Sequence, residues 1–202
     1  MSFGKHATAE ELEGVYASLL RESSIPVRRR LLWVFRRAKL PHVDELLLDW
    51  ANSDNDELRA DSITALSQVS DPRIHQLAKM KMETGKLLGA DNNAISLLIY
   101  NYESGDERLI RAALDQIQSD PEDAHSLGYC IRLLADQRED PSLANLLLWV
   151  YENTPCAFCR RQAAFWLDRT HQLPDELRFE CQYDSDEDTR TFARGFGEKG
   201  YA

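Results

Sequence analysis

Cys156 and Cys159 form a Cys-x-x-Cys pair, with His171 and Cys181 further along the chain. Thiolates and imidazole at such spacings hold zinc. A Cys-x-x-Cys at a helix start also suits redox chemistry, because the helix dipole lowers a thiol pKa. Against both, a second Cys-x-x-Cys is missing, and Cys159 falls where the chain elsewhere places Leu58. There a free cysteine acts as a small hydrophobe. The pair therefore reads as structural, with no metal and no cofactor assigned, and a zinc or redox module stands as a further alternative that metal analysis of the protein would settle. The histidines are scattered and set no ligand pair on one helix face. Asp44-Glu45 and Asp175-Glu176 sit in first helical turns, where acids favour the dipole, which argues against a carboxylate dyad. Serine, lysine and glycine residues form neither a nucleophile elbow nor a phosphate loop. No residue is assigned a catalytic role.

The elements that position these residues are helices. Thr8-Ala-Glu-Glu11 is a capping box, followed by Leu12, Val15, Tyr16, Leu19 and Leu20 at helical spacing. The prolines (Pro26, Pro41, Pro72, Pro121, Pro141, Pro155 and Pro174) all read as helix starts, where a missing amide proton is harmless. Asp91 is expected to cap a sixth helix running through Ile95, Leu98, Ile99 and Tyr102. A last helix is expected through Ala193 and Phe196. No strand-like alternation is long enough to assign. The pattern gives about twelve short helices, pairing into about six hairpins.

Within them a skeleton recurs. An apolar-Arg pair appears as Val27-Arg28, Leu58-Arg59, Cys159-Arg160 and, loosely, Thr189-Arg190. Four residues after its first member come Leu31, Ser62, Ala163 and Ala193, and eight after it Phe35, Leu66 and Leu167. Small residues let helices approach closely, and the arginine is placed to bridge carboxylates or carbonyls of an adjacent turn. The stretches LRADSITALSQVSDPR and CRRQAAFWL resemble the second helix of HEAT-type (armadillo-type) repeats, including the short HEAT-like kind found in phycobilin lyases. The resemblance covers about residues 8 to 197 and departs at Ser62 and in the middle repeats. It implies an all-α, right-handed α-α superhelix, a solenoid of hairpins at roughly 8–38, 41–69, 72–102, 106–135, 141–169 and 174–197 in a single domain spanning 1–202. It also implies a concave surface lined by the second helices.

Counting at 100° per residue from Leu58 puts Thr64 away from the core stripe, with Trp33 and Phe165 as its equivalents. Exposed aromatics there mark a binding surface, whereas Trp50, Trp149 and Trp166 fall on core stripes. Arg28, Arg29, Arg30, Arg36, Arg37 and Lys39 form a basic run, while Asp184, Asp186, Glu187 and Asp188 form an acidic cluster. The predicted contact surface is Arg29, Arg30, Trp33 and Arg37 at one end, Asp61, Thr64 and Gln68 in the middle, and Arg161 and Phe165 further along.

Composition constrains the partner. The chain has 202 residues, 43% hydrophobic and 29% charged, with a formal net charge of -10. That charge repels phosphate backbones and suits a basic protein partner. No signal-like run and no apolar stretch of roughly 18 residues is present, so a cytoplasmic protein with reduced thiols and no membrane contact is expected. The reading is a non-catalytic protein-interaction module, an adaptor or an immunity-type inhibitor of a basic toxin. The alternative is a HEAT-like DNA-repair glycosylase or lyase-like enzyme using Trp33 and Asp61, which would need a locally basic groove.

Overall fold

The structure, a computed structural model, describes residues 3–117, 120–138 and 140–195. All the described elements are helical, either α-helices or short 3-10 segments. The chain separates into two compact units, Met1–Gln118 and Ser119–Ala202. The expected fourth hairpin, 106–135, straddles that division.

In the first unit, α1 (Ala9–Arg21) packs on α2 (Ile25–Leu32), which tightens into a 3-10 turn over Trp33–Arg36. α3 (Glu45–Trp50) and α4 (Asp56–Leu66) follow, and α4 also contacts α2. α5 (Pro72–Glu83) packs on a 3-10 segment, Ala94–Leu98, and on α6 (Asp106–Leu114). In the second unit, α7 (Pro121–Arg138), α8 (Ala144–Asn153) and α9 (Ala157–Arg169) contact one another, and α10 (Asp175–Cys181) pairs with α11 (Glu187–Arg194). Phe196, expected in the last helix, lies outside the described residues.

Local chemistry explains the helix starts. Thr8 and Glu11 complete the capping box, Glu11 accepting the Thr8 amide at 2.8 Å. Asp44, Asn55, Asp71, Asp120 and Asp186 each accept backbone amides at the start of the helix they precede, satisfying donors that no intrahelical carbonyl can reach. Pro26 and Pro72 occupy first-turn positions and Pro121 is the first residue of α7. Pro141 begins a 3-10 segment and Pro174 is the N-cap of α10, whereas Pro41 and Pro155 stand before their helices: α3 begins only at Glu45, capped by Asp44, and α9 at Ala157, after Cys156.

The recurring arginine joins the two helices of a hairpin. Arg28 donates to the Glu22 carbonyl at 2.9 and 2.5 Å, Arg59 to Ser53 at 2.5 Å, Arg160 to Thr154 at 3.5 Å and Arg190 to Asp184 at 2.7 Å. In every case the acceptor lies six residues earlier, at or just past the end of the preceding helix. Carbonyls there have lost their intrahelical partners, and a guanidinium supplies charge-assisted donors. The eighth position of the skeleton is core: Phe35, Leu66 and Leu167 are fully buried. Phe35 meets Tyr16 edge-on at 6.2 Å. Ser62 is buried too, and its hydroxyl is satisfied by the Leu58 carbonyl at 2.8 Å, so the departure from a small apolar residue leaves no unpaired donor.

The middle of the chain corrects the expected sixth helix. Asp91 caps nothing; it ends a 3-10 segment, Gly89–Asp91, and the next segment, Ala94–Leu98, is also 3-10. Gly85 and Gly89 adopt positive φ, and Asn92-Asn93 follows, a run whose residues favour turns over helix. Residues 94–99 are buried all round, so packing rather than helical periodicity holds them.

In the second unit the Tyr151 hydroxyl lies 3.6 Å from the Cys181 thiol, both buried. Burial pushes both groups up from their ordinary pKa values. The folded state therefore holds these protons longer than the unfolded chain does. Their contribution is complete below the ordinary thiol value, about 8.5, and is lost as pH rises beyond it. Thermal unfolding followed from neutral to alkaline pH is expected to show a falling Tm. Tyr151→Phe should flatten that fall above about pH 10, where the free phenol titrates. An identical slope in the variant would remove Tyr151 from the account.

Candidate functional site

Three of the four tryptophans are buried, as expected: Trp50, Trp149 and Trp166. Trp33 is half exposed, at 50%. The cause is local. At the end of α2 the backbone narrows to 3-10 geometry, so Trp33 stands on the outer side while Leu32 and Phe35 turn inward. Beneath it lies Asp61 of α4, a carboxylate only 5% exposed. One Asp61 oxygen accepts the Trp33 indole N–H at 3.0 Å, and the other accepts Arg29 Nε at 2.8 Å. Arg29 also pairs with Glu57. The hydrogen bond that Arg29 donates to Asp61 is the main reason its pKa is raised. Asp61 thus fixes Trp33 with one oxygen and Arg29 with the other.

The stretch of chain on either side of Trp33 is cationic and apolar. Arg30, Arg36, Arg37 and Lys39 are exposed, as are Ile25 and Val27. The Arg36 guanidinium sits 5.8 Å from the Trp33 ring centre, and Lys39 Nζ 5.5 Å from that of Tyr100, itself 37% exposed. Such arrangements join a flat apolar face to positive charge.

Of the nine residues chosen from sequence, Arg29, Trp33 and Asp61 are in hydrogen-bond contact, and Arg30, in α2, and Arg37, just past the 3-10 turn, are exposed nearby in sequence. Thr64 and Gln68 are half-buried, with the Thr64 hydroxyl donating to the Ala60 carbonyl at 2.9 Å and the Gln68 amide to Ser67 at 3.2 Å. Arg161 and Phe165 belong to the second unit. Arg161 is engaged by Asp186 at 3.2 Å and by Asp188. Phe165 is not exposed: it is half-buried and packs on Phe192 with ring centres 3.9 Å apart. Its outward helical phase is covered by α11, a tertiary contact that the phase angle alone does not show.

Two groupings had no assigned role in the sequence. In the first unit a cleft of about 280 Å³ is lined by Arg59, Lys81, Lys86, Asp54 and Asp91, among others. Lys81 is fully buried and donates to Asp91 at 2.5 Å, while Arg59 Nε donates to the other Asp91 oxygen at 2.9 Å. Burial pushes the Lys81 ammonium down from its usual value, with Asp91 opposing. The spacing held a signal: Arg59 and Asp91 are 32 residues apart, as are Arg29 and Asp61, about one repeat. In the second unit Cys156 and Cys159 are joined by His125 of α7. His171 is exposed, with a positive φ, Cys181 pairs with Tyr151, and neither belongs to that group.

Comparison of the chain with protein-family models, with curated proteins and with solved structures finds no match.

Proposed function

We propose that the protein is a non-catalytic interaction module built of HEAT-like hairpins stacked in a right-handed solenoid, and that it binds a partner protein through the Trp33 platform of the first unit. The supporting observation is that Trp33 is half exposed yet fixed by a buried carboxylate. Pre-organised aromatics of this kind lose little entropy on binding and are enriched at hot spots. The four recurring arginine-carbonyl ties support the repeat reading.

The acidity of the whole chain would favour a basic partner or toxin. The charge beside Trp33 has the opposite sign. Arg36 lies beside the Trp33 ring, and Arg30, Arg37 and Lys39 are exposed close to it in sequence, so the segment that docks there is acidic and carries an apolar or aromatic anchor. An adaptor role follows more directly from this patch than inhibition of a basic toxin. For a glycosylase-like reading, Asp61 would have to face a substrate. Both of its oxygens are instead engaged by Arg29 and Trp33.

The test is affinity capture from the native host with wild type, Trp33→Ala and Arg30→Glu/Arg37→Glu proteins, followed by titration of the captured partner. The expected loss is at least tenfold in affinity for each variant, as for truncation of a hot-spot aromatic, with unchanged binding by an Arg108→Glu control. Equal capture by all variants would reject the platform. Recovery of nucleic acid alone, released by salt, would reject the protein-binding reading and favour the repair-type enzyme.

A further inference from the structure

We propose that His125, Cys156 and Cys159 form a binding site for Zn2+, with two thiolates and one imidazole as ligands and a fourth position open to solvent. The site lies in the second unit and does not depend on the Trp33 platform.

The fold brings the ligands together from two helices. Cys156 is the N-cap of α9 and Cys159 the third residue within it. In a capping box these two positions reach back to each other, so their side chains share one end of the helix. The Cys156 side chain makes no capping hydrogen bond; its thiol interacts with that of Cys159. His125 projects from the second turn of α7, which packs on α9.

Distances fit the ion. The three ligand atoms all lie within 4.8 Å of one another. Tetrahedral zinc, with Zn–S about 2.3 Å and Zn–N about 2.1 Å, requires a sulfur-nitrogen edge of about 3.6 Å. The Cys159 sulfur is 3.5 Å from His125 Nδ1. Little movement is therefore needed to close three bonds around one cation.

The surroundings also fit. Cys159 is buried, Cys156 half-buried and His125 exposed, so the group has a closed apolar side and an open one. Three protein ligands with one exposed side leave a coordination position for water. Arg132 lies two turns beyond His125 on α7. Its Nη1 is tied to Asp136 at 2.5 Å; burial and the neighbouring Cys156 thiol hold the Cys159 pKa up, at about 11, and the Arg132 charge only opposes them. Binding would convert two S–H groups into two Zn–S bonds, releasing two protons to solvent while neutral His125 donates its Nδ1 lone pair. Affinity should accordingly rise with pH.

The experiment uses the full chain, reduced and chelator-treated, titrated with Co2+ as a spectroscopic probe and then with Zn2+. Expected are one Co2+ per chain, a thiolate-to-cobalt charge-transfer band with tetrahedral ligand-field absorption, and displacement by Zn2+ with proton release. Cys156→Ser should weaken the charge-transfer band, and His125→Ala should lower affinity at least tenfold. Neither residue is buried, and circular dichroism of each variant verifies its fold. Cys130→Ala, at a buried cysteine outside the group, should bind as wild type. No charge-transfer band, or a band and affinity unchanged in Cys156→Ser and His125→Ala, would overturn the proposal.

Discussion

Replacing Asp91 with alanine is expected to lower the unfolding free energy by about 3–5 kcal/mol, the range for removing one partner of a buried ion pair. Asp91 is the shared anion of two cations, Lys81 at 2.5 Å and Arg59 at 2.9 Å. The two do not lose equally. Arg59 keeps the Ser53 carbonyl and Asp56, each at 2.5 Å. The Lys81 side chain is 1% exposed, and Asp91 is its ion-pair partner among the described residues. Without it, an ammonium is left uncompensated or must give up its proton. The Lys81 pKa, already lowered by burial, would fall further. A cation with a depressed folded pKa binds more protons when unfolded. The loss should therefore ease as pH rises from that depressed value towards the ordinary lysine value of about 10.4. Adding Lys81→Met, which keeps the apolar stem and removes the charge, should recover most of the stability. Urea unfolding of the single and double variants provides the check. A single variant within about 1 kcal/mol of wild type, or a double no better than the single, would show that the charge pair does not govern this cleft. Because the pair is buried, added salt should change the result little.

Asp91 also shows where the sequence stopped being informative. Its type and place before an apolar run match an N-cap, and the neighbouring glycines were visible. Whether the carboxylate accepts a local amide or a cation from another helix depends on which helix lies beside it. Pro41 failed in a similar way. It stands where a helix could begin, but Asp44 offers a side-chain acceptor three residues later, and the helix starts there. Features decided within one turn or one hairpin were legible: the capping box at Thr8, the buried Trp50, Trp149 and Trp166, and the arginine tie. That arginine was placed near an adjacent turn from spacing alone, and it reaches a carbonyl six residues back in all four helices. Features decided between hairpins were not legible. Phe165 has an outward phase, yet Phe192 covers it. The cysteine pair was visible, but the histidine beside it lies more than thirty residues upstream instead of in the downstream candidates. At Asp61 the sequence supplied all the parts of the Trp33 site as separate candidates, without showing that they bond to one another.

Asp61→Ala is expected to cost about 2–3 kcal/mol, near the upper range for hydrogen bonds to a charged group. The loss should be smaller than at Asp91 because Arg29 is partly solvated, with a side chain 24% exposed, and keeps Glu57. Trp33 loses a single hydrogen bond, that of its indole N–H. Removing the other side of the bracket should not be equivalent. Arg29→Ala leaves a carboxylate 6% exposed with the indole as its remaining side-chain donor, and desolvation makes an unpaired buried anion costly. The double variant should therefore be more stable than the sum of the single losses predicts, by about 1–3 kcal/mol of coupling. Urea unfolding of the four proteins in that cycle measures it, and additive losses would mean the bridge contributes nothing as a pair. Trp33→Phe isolates the indole bond, since it keeps an aromatic face and loses the N–H that Asp61 holds. On the proposed platform it should lower the unfolding free energy by about 1.5–3 kcal/mol, the worth of a hydrogen bond to a charged group, and bind the partner more weakly because the ring is no longer fixed. Asp61→Ala should weaken binding for the same reason even though its side chain is buried. If both variants kept full affinity, exposure of the ring would suffice, and the carboxylate beneath it would serve the fold alone.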